Sequence, residues 1–376
     1  MKMFQRKQCI LLITLFSSAL FNVANAISIV SADFGKHDGQ SIKLVTLKND
    51  MGMQVKITNY GATMTSLMVP DKHGHSAEIT AGFNQLSSYF SDEYQQNNPY
   101  FGGVIGRYAS FTHNGKFNLD GKSYQLSQNA GSDHLHGGTV GFDKHVWTIA
   151  KAYQENDAAV LKLTYTSPDG QEGYPGTLNV TVEYKLTNDN ELKVRYLATT
   201  DKNTPVSLTH HAYFNLNGFK ENVLDHVVQI NSQAYLTPNA DTNIPDGKAT
   251  PVKGTATDFN KSKPLAKAFS KLPNGFEHYY LFNNPQGNLI EVANISEPHS
   301  GRKLAISTTE PGALFYTGRY TSNNLARENG LKYGQFKAFC FETSKYPNGT
   351  NIPNSPRTYL KAGDIYDETT VFKFSW

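Results

Sequence analysis

Apolar and polar residues alternate in short runs along most of this chain, and clusters of turn-forming residues separate the runs. "SIKLVTLKN", "MQVKITNYGATMTSLMVP", "AAVLKLTYTSPDG", "TLNVTVEYKLTNDNELKVRYLATT", "HVVQINSQAYLTP", "RKLAISTTEPGALFYTG" and "VFKFSW" all read this way. Period-two alternation puts successive side chains on opposite faces, so each run predicts half-buried strand. The breaks "NDN", "PDG", "DKHG" and "NLDG" carry the residues that turns favour. Helical periodicity is nearly absent, and "NQLSSYFSDEYQ" predicts only a short helix or loop. Many short strands in a chain of this size predict an all-β fold, one large antiparallel β-sandwich. No Pro-, Gly- or Ser-rich linker and no short repeat divides it, so residues 27–376 are expected to form a single domain.

The pattern also points to candidate chemistry. In "SLTHHAYFNL", Ser207 to Leu216, a strand would place Leu208, His210, Ala212, Phe214 and Leu216 on one face. That is a core face, and His210 reads as a satisfied core histidine. Ser207, Thr209, His211, Tyr213 and Asn215 would share the other face. Such a face is either solvated or suited to a polyhydroxylated ligand, and it makes His211 a candidate. In "FKAFCFETS", Glu342 ends an apolar strand and shares a face with Phe336, Ala338 and Cys340. Lost hydration there would raise its pKa from about 4.3 towards neutrality and suit it to act as a general base. The competing reading is a wet carboxylate at a strand end, or one paired with Lys or Arg. In "SDHLHGG", His134 and His136 would share a face beside glycines that let backbone approach a ligand. His-x-His can bind metal, but no acidic or third ligand is spaced for it, so no metal is expected. "HGH", His73 to His75, reads as a solvated turn. A carboxylate base and an imidazole acid form a proton-transfer pair, and sugars are the ligands that suit a polar, aromatic-rich β cleft.

The N-terminus changes the charge reading. "MKMFQRKQ", then "CILLITLFSSALF", then "ANA" have the three-part form of a secretory signal peptide, cleaved after Ala26. The apolar run is too short for a good membrane span. Cleavage removes Lys2, Arg6 and Lys7 and leaves 32 basic against 32 acidic residues. A near-neutral mature chain is a poor partner for nucleic acid or an anionic membrane. Export to a periplasm, or secretion, is the expected location. Cys340 alone remains, which excludes an internal disulfide and a cysteine-based zinc site and reads as a buried apolar thiol. No Gly-rich loop joins a strand to a helix, so no nucleotide fold is supported. Nothing in the sequence chooses between monomer and dimer.

Seven segments in order resemble the aldose 1-epimerase family: "YFGGVIGRYA", "HLHGGTVGFDKHVW", "TSPDGQEGYPG", "PVSLTHHAYFNLNG", "GTATDFN", "PGALFYTG" and "FCFETSKYPN". The resemblance implies a large β-sandwich of the galactose mutarotase type and no cofactor. It implies interconversion of the α and β anomers of free aldoses such as glucose and galactose. Glu342 matches the general base for the anomeric hydroxyl, and His211 the general acid for the ring oxygen. His136 matches a second histidine that holds and polarises the sugar, and Tyr213 stands with the substrate-binding set. Several positions depart from the family pattern. Ser110 and Phe111 stand where Asn and a sugar-binding Arg are usual, Glu277 where Asp is usual, and Leu314 where Gln is frequent. An unreplaced Arg contact costs on the order of 1.5–3 kcal/mol of binding, so altered sugar preference or affinity is expected. Arg107 is not taken as its substitute. Three alternatives stand beside this reading. One is a sugar-binding or sensing protein with weak catalysis on the same fold. Another is an epimerase of hexose phosphates, which would want an Arg cluster. The third is a glycoside hydrolase or lyase, a hydrolase needing Glu277 as its second carboxylate.

Overall fold

A computed structural model describes residues 26–376; the rest of the expected signal peptide, residues 1–25, lies outside the described residues. The alternating runs form strands where the pattern places them. Leu178–Thr187 turns Leu178, Val180, Val182, Tyr184 and Leu186 inward, with partly or fully exposed residues between them. Its partner Glu191–Thr200 does the same, and the pair closes at the "NDN" turn, where Asn190 takes φ +60°. "NQLSSYFSDEYQ" becomes a 3-10 turn, Leu86–Phe90, and a six-residue helix, Asp92–Asn97, whose cap Ser91 accepts from the Tyr94 amide.

Three antiparallel sheets carry the architecture. A nine-stranded sheet runs in the order Thr148–Glu155, Ala158–Ser167, Leu178–Thr187, Glu191–Thr200, Tyr366–Ser375, Lys303–Thr308, Ile290–Ser296, Val227–Ile230, Lys263–Pro264. A five-stranded sheet takes the first five strands in sequence order, from Ser28–His37 to Ser76–Glu78. A second five-stranded sheet runs Pro245–Pro251, Ala234–Pro238, Glu277–Leu281, Gly312–Tyr316, Cys340–Ser344. One buried apolar cluster draws on all three, from Val55 and Ile57 through Val182 and Ile306 to Phe315 and Phe341. Each such side chain contributes roughly 1.5–3 kcal/mol on burial. This is the expected all-β class, in sandwich form.

The second five-stranded sheet positions the chemistry. Ala313, Phe315, Phe339 and Phe341 join the common core. The opposite face carries two cross-strand rows, Tyr279–Leu314–Glu342 and Glu277–Tyr316–Cys340, set by the registers of three neighbouring strands.

The segment Ser207 to Leu216 differs from its expectation. Only Thr209–His210 pairs as strand, with Val104–Ile105, and single bridges hold Ser207 and Phe214. All ten residues are buried, so neither face is wet. The segment threads the interior, which is why its polar residues need partners within the protein.

A buried ion network ties this segment to the strand of Glu342. Lys345 follows that strand, is fully buried, and donates from Nζ to Glu310 at 2.7 Å and to Glu368. Its backbone amide donates to Ser207 Oγ at 3.1 Å. Arg357 reaches Glu368 at 2.7 Å, and the Tyr366 hydroxyl donates to Glu310 at 3.0 Å. Lys345→Met removes the buried cation between two carboxylates and is expected to destabilise the fold by about 3–5 kcal/mol. Urea unfolding measures this; a loss below about 1 kcal/mol would show that the network is dispensable.

Candidate active site

All eight candidate residues line one cavity of about 510 Å³: Ser110, Phe111, His136, His211, Tyr213, Glu277, Leu314 and Glu342. They come from six stretches of chain, at 110–111, 136, 211–213, 277, 314 and 342, that the fold brings together.

Glu342 lies within its strand rather than at its end, and is 3% exposed. Its Oε1 has no hydrogen-bond partner, and His211 Nε2 stands 3.5 Å away. The wet-carboxylate and Lys/Arg-paired readings therefore do not hold. Burial, and secondarily the charge of Glu277, push its pKa up to about 8.

His211 is held by neighbouring aromatic rings. Its ring stacks on Tyr213 at 5.1 Å and 16°, and on Tyr100 at 5.7 Å and 21°. His136 meets it edge-on at 5.2 Å. Cys340 Sγ lies 3.7 Å from His211 Nδ1, so the buried thiol is also a wall of the imidazole's pocket. Burial pushes the His211 pKa down to about 3. Burial thus drives both members of the pair towards their uncharged forms.

His136 follows a different local logic. The Ser110 amide donates to its Nδ1 at 3.2 Å, so in the neutral ring the proton sits on Nε2 as a donor. Ser110, His136 and Tyr100 all take left-handed backbone, φ +67°, +52° and +56°. Such conformations cost on the order of 1–3 kcal/mol each and concentrate at functional sites. Gly137 is the residue that lets this loop close, because a Cβ there would sit 1.8 Å from the Gly106 carbonyl oxygen.

Several sequence readings need correction. His134 does not share the cavity with His136. It is fully buried, bonded to the Ser127 carbonyl at 2.7 Å and to the Tyr174 hydroxyl at 2.7 Å. His210 is in the core, against Tyr184, but both its ring nitrogens lack partners, and burial lowers its pKa to about 3. On the polar face of the histidine segment only His211 and Tyr213 reach the cavity. Ser207 accepts from Lys345, and the Asn215 amide donates to the Glu221 and Lys337 carbonyls. The histidines do have a third potential metal ligand. One ring nitrogen each of His136 and His211 and a Glu342 oxygen lie within 4.8 Å of one another, a donor set that a divalent ion could use.

The departures from the family pattern shape the walls. Phe111 and Leu314 are half-buried and line the cavity, and Leu314 faces Glu342 across the strand pair. Glu277 opens onto the cavity itself, while the surrounding walls raise its pKa and Arg319 counters them. Arg107 is no substitute for the missing arginine. Its guanidinium donates to the carbonyls of Pro175, Gly176 and Ser167 at 2.8–3.1 Å. Tyr100, Tyr316 and Arg319 also line the cavity and were not singled out from sequence. Nothing about Tyr100 in "YFGG" distinguishes it, since its role depends on the rings it meets.

A carboxylate and an imidazole 3.5 Å apart, in a water-poor recess with a second imidazole donor, can move one proton off a hydroxyl and another onto a nearby oxygen.

Comparisons with known proteins agree with this arrangement. The family model for aldose 1-epimerase matches residues 43–373. The galactose mutarotase of Homo sapiens is 40% identical over 352 residues, which cover 93% of this chain and 99% of that protein. The aldose 1-epimerase of Escherichia coli K12 is 33% identical over 344 residues, 90% of this chain and 96% of that one. The crystal structure of a galactose 1-epimerase from Lactobacillus acidophilus superposes with a TM-score of 0.80 at 29% identity, covering 93% of this chain and 99% of that one. With the family model spanning every residue named in the cavity, and relatives of 33–40% identity covering 90% or more of the chain, the chain belongs to the aldose 1-epimerase family.

Proposed function

We propose that this cavity interconverts the α and β anomers of a free aldose by opening and reclosing its ring. The observation that carries the reading is the buried, unpartnered Oε1 of Glu342 set 3.5 Å from His211 Nε2. Glu342 takes the proton from the anomeric hydroxyl, and the C1–O bond to the ring oxygen breaks as C1=O forms. His211 delivers a proton to the ring oxygen. Rotation about the C1–C2 bond presents the other carbonyl face, and the same two groups run the steps in reverse. His136, with its proton on Nε2, donates to the sugar and helps to hold it. Atoms and protons balance, since one proton leaves the sugar and one arrives.

The proton count of the pair fixes a pH dependence. With values of about 3 for His211 and about 8 for Glu342, the pair holds one proton across the range between them. Anomerisation needs that one-proton state, whichever atom carries the proton at rest. Above about pH 8 the proton is lost and the acid is missing. Below about pH 3 a second is gained and the base is blocked. The kcat/KM profile is therefore expected to be level near neutrality with an alkaline fall near pH 8. Polarimetry of freshly dissolved aldose across pH 5–10 measures it. A rate that climbs through pH 8 would mean that no proton-bearing acid takes part.

A further inference from the structure

Cys340 and Glu342 stand two residues apart on one strand, so their side chains leave the same face, roughly 7 Å from each other along it. One imidazole fits between them. His211 Nε2 lies 3.5 Å from Glu342 Oε1, and His211 Nδ1 lies 3.7 Å from Cys340 Sγ. The strand therefore offers a carboxylate to one ring nitrogen and a thiol to the other. The proposed reaction uses Nε2 and Glu342, and it leaves Nδ1 and the thiol without a role.

The two nitrogens of an imidazole are linked, because the hydrogen bond that one makes sets the proton on the other. Nε2 has to be bare in the neutral ring if it is to take a proton and hand it on. The ring proton then sits on Nδ1 and needs an acceptor there. Among the described residues Sγ is the one side-chain partner of Nδ1. The carbonyl of His211 itself also bears on the ring, but it already accepts from the Gly102 amide at 2.9 Å. Tyr100, Tyr213 and His136 crowd the ring, so turning it towards another partner would displace them.

A thiol suits this position for a further reason. Burial holds the Cys340 pKa well above the ordinary thiol range, so the group stays neutral. A carboxylate at the same place would stabilise the imidazolium and make the ring more basic. A neutral sulfur accepts only weakly, and the protonated ring keeps its readiness to give a proton to the sugar.

We infer that Cys340 is a positioning residue, whose sulfur accepts from His211 Nδ1–H and so keeps Nε2 free to exchange a proton with Glu342 and the sugar. No bond to sulfur forms or breaks, and the thiol keeps its own proton. This deepens the anomerase reading and rests on it for the use of the proton, whereas the tautomer belongs to the resting protein.

The test follows the imidazole nitrogens by NMR in protein labelled with nitrogen-15 at histidine, at pH 7, with His211→Asn identifying the signals. In the wild type His211 is expected to carry its proton on Nδ1. In Cys340→Ala a mixture of the two tautomers is expected. Polarimetry on the same variant should show kcat lowered roughly tenfold with KM within about twofold. Cys340→Ser keeps an acceptor atom, and it is expected to hold the Nδ1 proton and to bring kcat back to within about threefold of the wild type. A wild-type proton on Nε2 overturns the inference without any variant. Cys340→Ala with the wild-type tautomer overturns it too, whether or not kcat falls, since lost packing would then explain any loss. If the wild type turns over no sugar, the anomerase reading fails and the spectra alone decide for or against the positioning role.

Discussion

Glu342→Gln is expected to lower kcat by about 10³-fold, within the 10²–10⁴ that a positioned acid or base typically supplies. The glutamine keeps the shape of the side chain but cannot take a proton. The fold should not suffer, which makes the loss interpretable. In the folded protein the Glu342 pKa is raised to about 8, so the folded state holds a proton that the unfolded chain has released. Stability from this group is complete below the unfolded value, near 4.5, and falls as pH rises through about 8. A neutral glutamine escapes that cost. Thermal unfolding should therefore show a higher Tm for the variant than for the wild type at pH 8 and little difference at pH 4. An inactive variant with a lowered Tm at pH 8 would point instead to structural damage. Retained activity would remove Glu342 from the mechanism.

His211→Asn carries the second large effect. Nε2 stands 3.5 Å from Glu342 Oε1, and the ring stacks on Tyr100 and Tyr213, so it needs no reordering. Its loss is expected to reduce kcat by at least 10²-fold, with a smaller change in KM. The Glu342→Gln/His211→Asn double variant should be about as slow as the slower single variant, because residues that act as a unit do not add. Stopped polarimetry on the three variants reads both results. A single-variant loss under tenfold, or a double variant slow by the product of the two, would mean that the histidine and the carboxylate work independently.

The strand pattern was legible because each run obeys a local rule. Alternation in Leu178–Thr187 and Glu191–Thr200 reports the burial that the sheet delivers, and the "NDN" turn closes them as its residues suggest. The same rule placed Glu342 and Cys340 on one face, and register agrees, but the strand starts only at Cys340, so Phe336, at φ +60°, and Ala338 lie outside it. At Ser207 to Leu216 it separated the core side chains Leu208, Ala212, Phe214 and Leu216 from His211 and Tyr213 in the cavity, whereas Ser207 and Asn215 take hydrogen-bond partners in the interior instead of facing water. His210 shows the limit well, since the two unpartnered nitrogens depend on neighbours far away in sequence. Spacing alone did not offer Glu342 as a third donor beside His136 and His211, because it arrives from a distant strand; the family resemblance is what grouped the three. Tyr100, Tyr316 and Arg319 lay outside reach because an aromatic or a guanidinium becomes part of a site only through the company the fold gives it. Arg107 was rightly left aside, and its carbonyl partners give the physical reason.

The most direct measurement is polarimetry of freshly dissolved α-D-glucose and α-D-galactose with the wild-type protein and with Glu342→Gln at pH 7. The expected result is a wild-type approach to anomeric equilibrium well above the uncatalysed rate for at least one sugar, with the variant close to the uncatalysed rate. No acceleration by the wild type with either sugar, or equal acceleration by both proteins, would contradict ring opening at the Glu342–His211 pair.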